Sequence, residues 1–250
     1  MDFTALRAHL TAEAARLQAA AAAAAPDAPV PTCPDWTAAD LLDHVTETYD
    51  HKIQSMRRLK DPGEDFRIAR PGTPAAQYAA ALADLEAEFD ARGPESLAFT
   101  WYGPDQTVGF WIRRMAHETV IHRVDAELAA GGPAGPVDAD LALDGVDEMA
   151  QVMLTWGSRA YREWVAPVLA GNDGLAVALE TGGRAWTVRV ADGAVTAEDG
   201  TAADAQAVVT GTAGEVLLWL WRRVPADAVT IDGDADRAAA LYDMIGAFAQ

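Results

Sequence analysis

Apolar residues recur every three or four positions through the first half of the chain, which predicts a series of amphipathic helices. Leu6, Leu10 and Leu17, for example, lie on one face of the first of them. Four long helices joined by moderate loops indicate a helical bundle. The four predicted helices are one that ends at about Ala25, one that opens at the capping box Thr37-Ala-Ala-Asp40, one over about 74–91 and one over about 106–130.

The pattern changes after the glycine- and proline-rich segment Gly131–Pro136, which is the predicted domain boundary. One more helix is expected over about 138–165, and short segments of alternating polarity then predict strands separated by Gly and Asp turns. The predicted fold class is therefore α+β overall, with a helical bundle over residues 1–136 and a small α+β domain over residues 137–250. The later elements are strands over 175–180, 186–190, 194–197, 207–210 and 228–231, and helices over 211–221 and 236–248.

Composition limits the classes of partner. Half of the 250 residues are hydrophobic, so a sizeable core can form, yet no apolar run reaches the roughly 18 residues that span a bilayer. The start of the chain lacks the basic and apolar regions of a secretory signal, and a cytoplasmic protein without membrane contact is expected. A formal charge of −19 excludes a nucleic-acid partner, which requires a clustered basic face. The single cysteine, Cys33, excludes an internal disulfide, and any thiol chemistry would need an external thiol.

Two of the five histidines, together with one glutamate, lie in a pattern that suggests metal binding. Glu118 and His122 are four residues apart on one predicted helix and project from the same face, whereas His117 points about 100° away from Glu118. His44 on the second helix is the natural third ligand. Two imidazoles and one carboxylate suit zinc in a site with one open position, although iron, nickel and manganese fit the same donors. The spacing also fits an ordinary surface pair and a histidine packed in the core.

Two segments resemble the signatures of a known family. Cys33-Pro-Asp-Trp-Thr-Ala-Ala-Asp-Leu-Leu-Asp-His44 and Arg113-Arg-Met-Ala-His-Glu-Thr-Val-Ile-His-Arg-Val-Asp-Ala126 are similar to those of the mycothiol-dependent maleylpyruvate isomerases, whose N-terminal domain is a DinB-like metal-binding bundle. The stretch Gly214–Arg223 and the later Ile231-Asp-Gly-Asp234 resemble the family's second domain, which is similar to sterol-carrier folds. The resemblance implies that His44, Glu118 and His122 hold a divalent metal such as zinc.

The resemblance also implies a reaction. Mycothiol, as cosubstrate, adds as a thiolate to the cis double bond of a small anionic substrate, the adduct rotates, and elimination gives the trans isomer. A related mycothiol S-transferase would keep the adduct. Arg223 matches a substrate-binding arginine expected to face the metal across the domain cleft, but Arg222 stands where the family has a glycine, and either arginine is a candidate.

The remaining candidate residues each have two interpretations, a role in binding or catalysis and a purely structural role. Arg113, Arg114 and Arg123 are predicted to bind an anionic group of the substrate or cosubstrate, or to pair with nearby carboxylates. Tyr49 is predicted to line the same pocket or to be an exposed helix residue. Asp125 either orients a ligand histidine or lies on the helix surface. Cys33 is interpreted as a small buried loop residue in preference to a nucleophile.

Two classes of function follow from these observations. The first is a metal-dependent, mycothiol-using isomerase or S-transferase that acts on a small molecule. The second is a non-catalytic module with a structural metal and an apolar ligand in the C-terminal domain. Either would be a monomer or a small homo-oligomer.

Overall fold

The computed structural model describes residues 1–248, which form two compact units that divide between Gly135 and Pro136. The division falls inside the segment Gly131–Pro136, one residue before the predicted domain boundary. A helical first unit followed by a mixed α+β second unit confirms the predicted fold class. The more specific likeness of the second unit to sterol-carrier folds stays a prediction, as do the domain bounds 1–136 and 137–250.

The first unit is a four-helix domain with a short β-hairpin. Each helix begins at a polar N-cap whose side chain accepts a backbone N–H, and in α2 the predicted capping box of Thr37 and Asp40 is present. Helix α1 packs against α4, and α2 packs against both α3 and α4. Its elements are α1 Phe3–Ala23, β1 Pro29–Val30, β2 Cys33–Thr37, α2 Ala38–Arg58, α3 Pro74–Ala91 and α4 Val108–Ala129.

The fourth helix is the centre of this unit. Seventeen of its residues are buried, on every side of the helix, which explains why its sequence shows little amphipathic character. The leucines Leu6, Leu10 and Leu17 of α1 are buried as their spacing predicts. A central helix with so little exposed surface can hold polar side chains in fixed positions, and these are the residues of the candidate site.

The second unit combines a five-stranded sheet with helices. The strand order is β5-β4-β3-β6-β7, with β3 and β6 parallel and the other neighbours antiparallel. Its elements are α5 Ala139–Glu148, a π-helix Met149–Trp156, α6 Gly157–Ala160, α7 Arg162–Ala170, β3 Ala176–Thr181, β4 Arg184–Ala191, β5 Ala194–Asp199, β6 Ala207–Thr210, α8 Ala213–Leu220, a 3-10 helix Ala226–Ala228, β7 Thr230–Gly233 and α9 Ala235–Ile245.

The predicted helix over 138–165 is wrong in one respect, because the helical path breaks at Tyr161. Two turns of π-helix and the short helix α6 precede the break. In a π-helix each N–H bonds the carbonyl five residues back, one residue farther than in an α-helix. Apolar spacing that follows the α-helical period cannot reveal such a change. The last predicted helix, over 236–248, begins one residue earlier and ends at Ile245, three residues before the end of the predicted range. Among the described residues, no helix is both long and apolar enough to cross a membrane.

Candidate metal centre

Two helices of the first unit bring the three predicted ligands together. His44 lies in the second turn of α2, and Glu118 and His122 lie one turn apart on α4. Nε2 of His44 and Nε2 of His122 each lie 3.2 Å from Oε1 of Glu118. One ligand atom from each residue lies within 4.8 Å of the other two. The arrangement could hold a metal ion.

Two of the three separations between these atoms fit a tetrahedral ion. Zinc bonds of about 2.0–2.1 Å place neighbouring ligand atoms about 3.3–3.4 Å apart, close to the two separations measured to Oε1 of Glu118. The side chain of His44 is 36% exposed, whereas that of His122 is 9% exposed. The site is therefore closed on the α4 side and open on the α2 side, where a further ligand can enter.

The charges of the triad are strongly coupled. Burial alone raises the pKa of Glu118, but the charge of His122 and hydrogen bonds from both histidines outweigh it and hold that pKa well below its ordinary value. Burial likewise lowers the pKa of His122, while Glu118 and Asp125 raise it to about 9. Without a metal, both ring nitrogens of His122 therefore carry a proton at neutral pH, and the ring is positively charged. A divalent ion would take the place of the proton on Nε2.

Asp125 orients His122 through the ring nitrogen that faces away from Glu118. Its Oδ2 accepts a hydrogen bond of 2.9 Å from Nδ1 of His122, which turns Nε2 of the ring toward Glu118. Asp125 is fully buried, so the alternative that it lies on the helix surface is wrong. Thr32, in the turn between β1 and β2, donates to Oδ1 of Asp125 at 2.5 Å. The β1–β2 hairpin thereby fixes a group that in turn fixes a candidate ligand.

The same hairpin places two more residues of the first family signature. The ring of Trp36 lies 4.6 Å from that of His44 and 6.0 Å from that of His122, measured between centroids. Cys33 is half-buried, and its thiol lies 4.0 Å from Oδ2 of Asp125. Sequence reasoning assigned no role to Thr32 or Trp36, although the spacing of Cys33, Trp36 and His44 in one signature was a signal that all three serve the same place.

Arg114 pairs with a nearby carboxylate, as the alternative to anion binding predicted, and that carboxylate belongs to the candidate ligand Glu118. Arg114 is 4% exposed and donates a hydrogen bond of 2.6 Å to Oε2 of Glu118, the oxygen that faces away from the two histidines. One carboxylate oxygen is thus bound by a guanidinium while the other is directed at the histidines. This arrangement favours monodentate binding of a metal through Oε1 of Glu118. Residues at i and i+4 on a helix lie side by side, so the spacing of Arg114 and Glu118 could have indicated the pair.

Replacement of Arg114 by methionine is expected to lower metal affinity about 10- to 100-fold, the range found when a group that orients a ligand is removed. Oε2 of Glu118 would then lose its donor, and the carboxylate could rotate. Competition with a chromogenic chelator measures the affinity. Arg57→Met is the control, because Arg57 pairs with Glu88 and not with the triad. Equal affinities in the wild type and Arg114→Met would contradict this role.

Arg123 and Arg113 differ in their surroundings. Arg123 is fully buried and pairs with Glu13 at 2.6 Å and with Glu127 at 2.9 Å. The alternative prediction of pairing with nearby carboxylates is therefore confirmed for Arg123, and its predicted contact with a cosubstrate gains no support from this placement. Arg113 is half-buried, and its predicted role stays a prediction.

Tyr49 is part of the core of the first unit. Its hydroxyl lies 2.6 Å from Oγ1 of Thr119, and its ring lies 5.8 Å from that of Tyr78. The expectation that Tyr49 is exposed on the helix is wrong, since the residue is fully buried. Burial is also the main cause that raises the pKa of its hydroxyl well above the ordinary value. The predicted contact with a cosubstrate has no support in this packing.

Arg222 and Arg223 directly follow the C-cap residue Trp221 of α8 in the second unit. The N–H of Arg222 bonds the carbonyl of Trp219 and that of Arg223 bonds the carbonyl of Leu218, which is the hydrogen-bond pattern of a Schellman cap. Arg222 has φ of 58°, a conformation that glycine adopts most easily. This explains why a glycine is usual at the position in the resembled family.

The two arginines present their side chains differently. Arg222 lies over the ring of Tyr242, 4.7 Å from its centroid, and donates to that residue's carbonyl oxygen. Arg223 is half-buried and donates to the carbonyl oxygen of Trp221 at 2.8 Å. A substrate-binding role for either arginine stays a prediction.

Comparison with known proteins gives a match over each unit. The family model described as "Mycothiol maleylpyruvate isomerase N-terminal domain" matches residues 7–127, and the model described as "MDMPI C-terminal domain" matches residues 140–240. No curated protein and no solved structure matches the chain. The first match contains all three residues of the triad.

Proposed function

Because the chain belongs to the mycothiol maleylpyruvate isomerase family, we propose that it is a metal-dependent enzyme that uses mycothiol on a small unsaturated acid. The observation that carries the proposal is the triad of His44, Glu118 and His122, whose ligand atoms lie within 4.8 Å of one another. The exposed side of His44 supports an open coordination position, which a thiol cosubstrate would need.

The proposed roles of the protein residues follow from their contacts. His44, Glu118 and His122 would hold a divalent ion, with zinc the first candidate. Such an ion, when bound, lowers the pKa of a nearby thiol and favours the nucleophilic thiolate at neutral pH. Asp125 and Arg114 keep His122 and Glu118 in the orientation that binding requires.

The proposed reaction is a reversible addition. The sulfur of the mycothiol thiolate forms a bond to one alkene carbon, and the alkene electron pair moves onto the conjugated carbonyl oxygen. The former double bond then rotates as a single bond. Return of the electron pair expels the thiolate and leaves the trans alkene, so that no atom is gained or lost. A mycothiol S-transferase would differ in the last step, because a proton would trap the adduct.

The test is an assay of the metal-loaded protein with mycothiol and maleylpyruvate. Formation of fumarylpyruvate that depends on both metal and mycothiol is the expected result for an isomerase, and a stable mycothiol conjugate is the result for an S-transferase. Omission of mycothiol and prior removal of metal are the two controls. If the protein retains metal but fails to bind mycothiol at millimolar concentration, both reactions are refuted and a binding module is favoured.

A further inference from the structure

Helix α7 of the second unit presents an exposed apolar face with a tryptophan on it. The side chain of Trp164 is 70% exposed, and Tyr161, directly before the helix, is also exposed. Three smaller residues of the same helix, Ala166, Pro167 and Ala170, are exposed as well. Tryptophan is on average a well-buried residue, so an indole this far in water marks a candidate contact surface.

The other side of α7 holds the helix firmly in place. Val165 and Leu169 are almost fully buried. The short helix α6, which leads into α7, is bound to the edge strand β5, because Oγ of Ser158 accepts the N–H of Val195 at 2.9 Å. Trp164 is therefore exposed because of its position on a packed helix, and the exposed face has a fixed shape.

Charges of opposite sign lie at the two ends of this face. Arg162 is the first residue of α7, and Asp173 lies in the turn that follows the helix. Both are exposed, and within residues 1–248 neither has an oppositely charged side-chain atom within 4.0 Å. A face with a cation at one end and an acid at the other is complementary to a copy of itself that runs in the opposite direction.

We propose that α7 is the contact surface of a homodimer, in which two copies of the helix pack antiparallel about a two-fold axis near Pro167. Arg162 lies five residues before Pro167, and Asp173 lies six residues after it. At a rise of about 1.5 Å per residue, both lie about 8–9 Å from the axis. A two-fold contact therefore brings each Arg162 to Asp173 of the partner subunit, and the pair forms twice.

The same arrangement covers the indole of Trp164. Trp164 lies three residues before Pro167, so it stands opposite Ala170 and Gly171 of the partner subunit, three and four residues after the axis. These small residues leave room for the ring. Tryptophan is enriched at the centres of protein interfaces, where its burial contributes much of the affinity. One symmetric contact thus buries two indoles and forms two ion pairs.

The size and charge of the face set the strength of this dimer. Helix α7 has nine residues and is about 13 Å long, so it alone buries less than the roughly 800 Å² per partner of a standard interface. The formal charge of −19 on each chain also opposes association, although exposed charges are screened beyond about 8 Å at physiological ionic strength. We therefore expect a dissociation constant in the micromolar range.

An anionic lipid surface is the other occupant that an exposed tryptophan beside an arginine could suit. Glu163 and Asp173 are exposed on or beside the same helix, and a negatively charged membrane would repel both. In the antiparallel dimer, Asp173 instead has a cation opposite it. The charges of the face therefore favour a second copy of the chain.

Sedimentation equilibrium of the full chain at about 1 to 100 μM tests the proposal. We expect the average mass of the wild type to rise from that of one chain toward that of two. Trp164→Ala should associate at least about 30-fold more weakly, because each dimer loses two central aromatic contacts. Leu97→Ala is the matched control, since Leu97 is 68% exposed and lies in the first unit, and it should associate like the wild type.

Charge reversal tests the antiparallel register. Arg162→Asp and Asp173→Arg each bring like charges together and should weaken association about tenfold. The double variant restores opposite charges in exchanged positions and should return to within about threefold of the wild type. The proposal is overturned by a wild type that stays a single chain, by Trp164→Ala that associates as well as the wild type, or by a double variant no stronger than the single ones. Binding of a monomeric wild type to phosphatidylglycerol vesicles, lost in Trp164→Ala, would also overturn it and would assign the face to a lipid surface.

Discussion

Replacement of His44 by alanine is expected to remove stoichiometric metal from the purified protein. His44 supplies one of the three candidate ligand atoms, and Glu118 and His122 alone would leave an ion held by two residues of one helix. The loss of affinity should exceed the roughly 10- to 100-fold that follows removal of a group behind a ligand. Elemental analysis after dialysis against a weak chelator measures the metal per chain.

Among the three candidate ligands, His44 can be replaced with the least expected damage to the fold. His122 and Glu118 are bound to Asp125 and Arg114, so that replacing either would leave a buried charge without its partner and weaken the fold. The side chain of His44 is the most exposed of the three, and its removal mainly opens the site to water. A far-ultraviolet circular dichroism spectrum equal to that of the wild type is therefore expected for His44→Ala.

His51→Ala is the matched control for His44→Ala. His51 lies on the same helix, seven residues farther on, and contacts Lys52 and Asp61 but not the triad. Metal content should stay at one ion per chain in His51→Ala. Full retention of metal in His44→Ala would refute the triad as the metal site, and loss in both variants would point to general damage of α2.

The sequence predicts the helices of the first unit well because their ends and faces carry local signals. The capping box of Thr37 and the leucine spacing of α1 each depend on residues within a few positions of one another. The π-helix escapes prediction because its eight residues make only about two turns, too few for a longer period to show in the apolar spacing. The break at Tyr161 escapes it because no Gly or Pro marks that position. Local pattern determines where elements lie and says less about their exact path.

In the candidate site, too, contacts between residues close in sequence are predictable and tertiary contacts are not. Spacing along α4 places Glu118 beside His122, whereas the approach of His44 from α2 is a tertiary contact that the family resemblance supplied. The pairing of Arg114 with a carboxylate is also local, because residues at i and i+4 of a helix lie side by side, but its contact with a candidate ligand is seen only in the structure. The hydrogen bond from Thr32 to Asp125 spans 93 positions and could not be predicted from sequence alone.

Arg123 is the position in the first unit where a substitution is expected to cost most stability. Its fully buried guanidinium donates to Glu13 from α1, to Glu127 on α4 and to the carbonyl oxygen of Gly135. Removing one partner of a buried ion pair usually costs about 3–5 kcal/mol, because the remaining charge stays buried without compensation. Arg123→Met should therefore lower the free energy of unfolding by about 3 kcal/mol, the lower end of this range, because Arg16 still pairs with the almost fully buried Glu13 at 3.0 Å.

Urea denaturation followed by circular dichroism measures the effect, and a melting temperature lower by about 10 °C should accompany it at this chain length. Arg7→Met is the control: Arg7 pairs with Asp90, whose side chain is 69% exposed, and exposed pairs contribute about 1 kcal/mol or less. The double variant Arg123→Met with Glu13→Gln should recover part of the loss, because it removes the buried charge of Glu13 together with its buried partner. If Arg123→Met proves as stable as Arg7→Met, the buried network does not hold α1 against α4.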